Sequence, residues 1–125
     1  DGKSKGNAAV QALAKEYQLI PVCPEQLGGL PTPREPSERQ GVRVGMKSGR
    51  DVTAEYRRGA EEALRLARLI GCAAAVLKEK SPSCGSGLIH DGSFAGGLAP
   101  GDGVTTEVLK AHGIRVLGES QVGEL

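Results

Sequence analysis

Apolar side chains recur at helical spacing over three stretches of the chain and gather into short unbroken runs over three others. Between about residues 7 and 17, Ala9, Val10, Leu13 and Tyr17 share one helical face, with Ser4 or Asn7 available as a cap. Leu19-Ile20-Pro21-Val22 follows as a short apolar run bounded by turn residues, which predicts a strand. The clearest helix begins near Thr53, capped by Thr53 or Asp51. Tyr56, Ala60, Ala63, Leu64, Ala67 and Ile70 line one side, charged residues from Arg57 to Arg68 take much of the other, and Gly71 ends it. Residues 73–77 then form a continuous apolar run, as expected of a strand buried on both faces. A third helix over residues 105–112 is closed by Gly113 and followed by a strand over 114–117.

Helix, strand, helix, strand, helix, strand is the order of a parallel α/β sheet with right-handed crossovers. We expect one α/β domain over residues 1–125, a three-layer Rossmann-like parallel sheet with ligands beyond the carboxyl ends of its strands. A helix at the start implies a preceding strand that this chain lacks. The chain also opens at Asp1-Gly2 without Met, so a native N-terminal segment is expected to be missing. Two glycine- and proline-rich loops, residues 23–50 and 78–103, each begin where a strand is expected to end. Both therefore fall on the ligand edge.

Composition narrows the function. A length of 125 residues suits one core, and a net charge of +1 gives no electrostatic reason to expect nucleic acid or an anionic membrane as partner. With Tyr17, Tyr56 and Phe94 as the only aromatic residues, a base-stacking surface is not expected either. No apolar run reaches the length of a membrane span and no signal-peptide pattern opens the chain. Three cysteines at wide spacing are not a disulfide framework, which points to a reducing, cytoplasmic setting. The expected partner is a small molecule.

The first loop opens Val22-Cys23-Pro24-Glu25-Gln26-Leu27-Gly28-Gly29-Leu30-Pro31-Thr32-Pro33-Arg34. Proline stops the ladder and turns the Cys23 thiol outward, Glu25 becomes a candidate general base, and Arg34 an anion or carboxylate clamp. The plain alternative makes Cys23 a small buried hydrophobe and Glu25 a solvated carboxylate. The second loop, Lys78-Glu79-Lys80-Ser81-Pro82-Ser83-Cys84-Gly85-Ser86-Gly87, offers hydroxyls, a thiol and free backbone N–H groups together. Lys78 and Lys80 would favour a thiolate there; the plain alternative is a flexible turn. Cys72 follows a helix-ending glycine and leads into an apolar strand, so it reads as core. His90 and His112 are isolated and lack the spacing of a zinc pair. Residues 41–48 resemble a phosphate loop only until Met46, where that motif needs glycine, and read as a loop or short hairpin. Gly101-Asp102-Gly103 is a turn whose amides could hold an anion.

Taken together, these loops resemble a known family: short bacterial proteins long catalogued as a domain of unknown function and associated with thiouracil desulfurase. The resemblance rests on the Cys23 to Arg34 segment, on Gly49-Arg50-Asp51-Val52-Thr53, on Leu77 through Gly85, and on Asp91-Gly92-Ser93-Phe94 through Gly101-Asp102-Gly103-Val104. It covers nearly the whole chain. The resemblance implies a 4Fe-4S cluster held by three cysteines, with one iron open to the sulfur of a thiolated pyrimidine. It makes Cys23 and Cys84 two of the ligands and puts the third before Asp1. Two thiolates alone, at a solvent-open edge, would hold such a cluster weakly, so the chain as it stands is expected to lack it. Glu25 and Ser81 would move protons while water oxygen replaces sulfur, a hydrolytic step without net electron transfer, and Arg34, Lys78, Ser83 and Gly85 would contact the thiolated base.

Two other readings remain open on the sequence. One is a non-enzymatic module that binds or senses a thiolated nucleobase or small molecule. In the other, Cys23, Cys84 and Cys72 bind zinc, which a five-residue strand of roughly 16 Å between Cys72 and the ligand edge makes geometrically poor.

Overall fold

A computed structural model describes residue 12 and residues 19–124. In chain order its elements are a one-turn helix α1 (Pro24–Leu27), strands β1 (Ser37–Gln40) and β2 (Arg43–Met46), the long helix α2 (Thr53–Leu69), and β3 (Ala74–Leu77). After these come β4 (Leu88–His90), β5 (Leu98–Pro100), α3 (Val104–Ala111), β6 (Arg115–Gly118) and a closing 3₁₀ helix (Glu119–Glu124). The unit is mixed α/β: β3 and β6 pair in parallel, whereas β1–β2 and β4–β5 are antiparallel hairpins. Among the described residues no helix is long and apolar enough to cross a membrane.

The periodic half of the chain folds as its pattern predicts. The N-cap of α2 is Val52, without a side-chain cap bond, rather than Thr53 or Asp51, though Asp51 Oδ1 accepts the Thr53 amide at 2.9 Å and so satisfies an orphan N–H at the start of the helix. The Thr53 hydroxyl is used elsewhere, accepting the Val44 amide at 2.8 Å. Gly71, in the left-handed region at φ 70°, follows the helix end, and Gly113, at φ 80°, follows α3. The third helix and the last strand are each displaced by one residue from their expected bounds.

Other expectations are corrected. Residues 19–22 form no strand; Pro21 has no N–H to donate, no partner strand lies beside them among the described residues, and Leu19, Ile20 and Val22 are exposed. The helix expected over residues 7–17 lies outside the described residues. Strand β3 is half-buried rather than buried on both faces, because among the described residues only β6 pairs with it. The long loops are partly ordered into α1 and the two hairpins. Ile70, assigned to the apolar face, is exposed beyond the end of α2.

Helix α2 divides the core. Tyr56 and Ala60 join Leu30, Val44, Met46, Val52 and Val104 in one buried cluster, while Leu64 joins Leu109, Ile114 and Val116 in a second. Helix α1 lies across the first half of α2 at backbone contact. A methyl group at Gly59 would overlap the Pro24 carbonyl, and one at Gly28 would overlap the carbonyl of Glu55. Only glycine at both positions lets the chains approach this closely.

Candidate active site

That crossing places the first loop. Cys23 is the N-cap of α1 in extended conformation, and Pro24 occupies a first-turn position where a missing N–H costs nothing. Glu25 therefore leaves the first turn of α1 beside the first half of α2. Its Oε2 accepts from Arg34 Nε at 2.8 Å and from the Tyr56 hydroxyl at 2.9 Å. Arg34 Nη1 donates to Pro31 O and Thr32 Oγ1, each at 2.9 Å, and Nη2 points at Cys23 Sγ at 3.8 Å. Every nitrogen of the expected anion clamp is thus directed at a protein atom, and the guanidinium braces Glu25 and Cys23. Burial opposes its charge, but Glu25 and Cys23 together outweigh that and raise the Arg34 pKa. Burial, and after it the Glu25 charge, also pushes the Tyr56 phenol above its ordinary range, so it stays a donor.

The second loop is clamped onto the start of α3. Ser81 Oγ accepts the Cys84 amide at 2.7 Å and Ser81 O accepts that of Gly85 at 2.9 Å, closing a tight turn. Val104 N donates to Pro82 O and Thr105 N to Ser83 O, both at 2.8 Å. The Thr106 hydroxyl donates to Cys84 O at 2.8 Å, and the Ser83 and Thr105 hydroxyls share a buried bond of 2.8 Å. Gly103 sits so close beneath that a methyl there would run into the Ser83 and Cys84 backbone. These ties consume the helix-start amides, and Gly101 and Gly103 donate to Gly87 O and Gly85 O. The 101–103 turn consequently binds its own chain in place of an anion.

The two loops meet. The thiol of Cys84 is pushed up to about 11, chiefly by burial, with the charges of Glu25 and Cys23 adding to the rise and hydrogen bonding to Ser83 and Ser81 opposing it. Glu25 and Cys23, some sixty positions away in sequence, are therefore electrostatic neighbours of Cys84. This corrects the expectation of a thiolate favoured by Lys78 and Lys80, both of which are exposed. Nor does either cysteine leave the end of a strand: Cys23 caps α1, and Cys84 lies in the turn seven residues past Leu77.

Of the expected substrate contacts, Ser83 is 1 % exposed with its hydroxyl engaged by Thr105, and the Gly85 amide is bonded to Ser81. Ser81 and Glu25 stand on the two loops that meet. Cys72 lies at the amino end of β3, half-buried and not fully in the core, with its amide donating to Ala67 O at 2.8 Å. His112 Nδ1 contacts Val108 O at 2.8 Å at the end of α3, and His90, on β4, has a buried Nδ1 without a partner. Sequence reasoning missed Tyr56 as a polar member of the site, having counted it as apolar face. It also missed Gly59, although a glycine inside a helix is itself a signal of close packing. Ser37 Oγ, buried without a hydrogen-bond partner, sits near enough to the Tyr56 phenol to favour its ionised form slightly.

Two half-buried thiols close enough to influence one another's charge are soft donors of the kind that ligate iron–sulfur clusters. Among the described residues no third His, Cys, Asp or Glu joins them to complete a metal-holding group, which also sets aside zinc on Cys23, Cys84 and Cys72. The pair fits as part of a cluster's ligand set.

A sequence model of the 2-thiouracil desulfurase family matches residues 1–121. The chain is 38% identical over 135 residues to the uncharacterized protein YbbK of Bacillus subtilis (strain 168), covering 100% of this chain and 89% of that protein. It is also similar to a solved structure described as the 4Fe-4S-dependent thiouracil desulfidase TudS, with 53% sequence identity and a TM-score of 0.92, covering 100% of this chain and 84% of that one.

Proposed function

Because this chain belongs to the 2-thiouracil desulfurase family, we propose that it removes sulfur from a thiolated pyrimidine such as 2-thiouracil by hydrolysis, without net electron transfer. The observation that carries this reading is the electrostatic proximity of Cys23 and Glu25 from one loop to Cys84 from the other. Cys23 and Cys84 would hold two corners of a 4Fe-4S cluster, with the third thiolate supplied by a segment before Asp1. When bound, such a cluster supplies a Lewis-acidic iron with an open position for the thiocarbonyl sulfur.

The residues of this chain would do the rest. Glu25, braced by Arg34, takes a proton from the water whose oxygen bonds to the pyrimidine carbon. Ser81, oriented by the Cys84 amide, gives a proton to the sulfur as the carbon–sulfur bond breaks and regains one from Glu25, while the hydroxyl proton left on the pyrimidine carbon's oxygen follows to the departing sulfide. The sum is thione plus water giving carbonyl plus hydrogen sulfide. The buried Ser83–Thr105 pair and the α3 clamp keep Cys84 in place while the sulfur leaves.

The test uses the full-length protein, prepared anaerobically and analysed for iron and sulfide, given 2-thiouracil without added reductant or oxidant. We expect uracil and sulfide in equal amounts, and loss of cluster and activity together in Cys84→Ser. Fully loaded protein that binds 2-thiouracil without converting it would overturn the reading in favour of a binding module.

A further inference from the structure

Glu25 is held by one oxygen only. Both donors, the Arg34 Nε at 2.8 Å and the Tyr56 hydroxyl at 2.9 Å, fall on Oε2. Among the described residues nothing bonds to Oε1, and the side chain is 21% exposed. A carboxylate torsion is soft and roughly two-fold, so an unrestrained Glu would offer either oxygen in many orientations. Two donors from different directions remove that freedom. Tyr56 itself cannot wander: it is 2 % exposed, packed in the cluster of Val44, Val52 and Ala60, on a helix that meets α1 at backbone contact through Gly59.

We propose that Tyr56 is a positioning residue for desulfuration, which together with Arg34 pins Oε2 of Glu25 and so makes Oε1 the oxygen that exchanges the proton. This rests on the function proposed above. Tyr56 touches neither substrate nor cysteine thiol in this role; it acts through Glu25.

The experiment is a double-mutant cycle between Tyr56→Phe and Glu25→Gln in the full-length, iron- and sulfide-loaded protein. Tyr56→Phe should lower kcat on 2-thiouracil about 10-fold, a fraction of the effect of losing the acid–base group itself. KM, iron content and the visible spectrum should stay within twofold of wild type. In the Glu25→Gln background the same substitution should cost nothing further. An unchanged kcat, or losses that multiply in the double variant, would overturn the proposal.

A second readout is independent of turnover. In the full chain without metal, the ¹³Cδ resonance of Glu25, assigned by its disappearance in Glu25→Gln, should move in Tyr56→Phe. Where phenylalanine is not tolerated, 3-fluorotyrosine at Tyr17 and Tyr56 keeps the hydroxyl and should move the same resonance. A constant resonance would count against the contact. A moved resonance in a protein inert toward 2-thiouracil would instead leave the contact standing and fail the proposed function.

Discussion

The two halves of α2 are held by different physics. Its first half meets α1 with glycine against carbonyl at Gly59 and Gly28, and carries Tyr56 into a polar network with Glu25 and Arg34. Its second half packs Leu64 and Ala67 against Leu109, Ile114 and Val116, an apolar contact without comparable polar ties among the described residues, and runs out to exposed Leu69 and Ile70. Apolar burial is non-directional and forgiving of small shifts, whereas a carboxylate held between two donors depends on angles and tenths of an ångström. The first half therefore sets geometry and the second supplies adhesion.

The sharpest separation is expected in rates. Glu25→Gln and Ser81→Ala should each lower desulfuration on the order of 10² to 10⁴ while iron content and the cluster spectrum hold. Leu64→Ala should instead cost about 2 to 4 kcal/mol in denaturant unfolding and leave kcat of the folded fraction near wild type. A kcat loss in Leu64→Ala comparable to that in Glu25→Gln would break the comparison.

Next comes pH. Because the folded Cys84 thiol lies near 11 against an ordinary value of 9.0, the native state holds more protons than the unfolded chain between those values. Stability of the metal-free chain should accordingly fall as pH rises from 9 through 11, by up to about 2 to 3 kcal/mol, and Cys84→Ser should flatten that slope. An unchanged slope in Cys84→Ser would show that the thiol is not buried as described.

The glycines give a smaller contrast. Gly59→Ala gains helix propensity yet meets the Pro24 carbonyl, and overpacking should win by about 2 kcal/mol in chemical denaturation, with activity falling as α1 shifts. Gly71→Ala has open space around it and only its positive φ against it, so about 1 kcal/mol is expected, with activity kept. The smallest effect should come from Glu62→Ala, which removes an exposed ion pair to Arg65 at 2.8 Å and should change stability by less than about 0.5 kcal/mol. A stabilising Gly59→Ala would deny the close crossing.

Much of this was legible in the chain before its structure. The α2 face, the glycine stops after α2 and α3, and the order of β3, α3 and β6 follow from periodicity and turn chemistry, which act over a few residues. Cys23, Glu25, Ser81 and Cys84 stood out because uncommon residue types were gathered in glycine- and proline-rich loops. The strand expected at residues 19–22 failed because four apolar residues say nothing about whether a neighbour exists to pair with them. Free amides around Ser83 and Gly85 failed for a similar reason: the loop's composition does not say which carbonyls will be within reach.

By itself, then, the sequence determined the long helix α2, the run of β3, α3 and β6, and which loops carry thiols, carboxylate and hydroxyl, since those are matters of local conformational preference and residue chemistry. The tertiary structure alone decided that Tyr56 bonds to Glu25, that Arg34 turns inward, and that burial beside Glu25 and Cys23 pushes the Cys84 thiol up. Each of these depends on distances between segments far apart in the chain, and such distances are set by how closely whole surfaces pack.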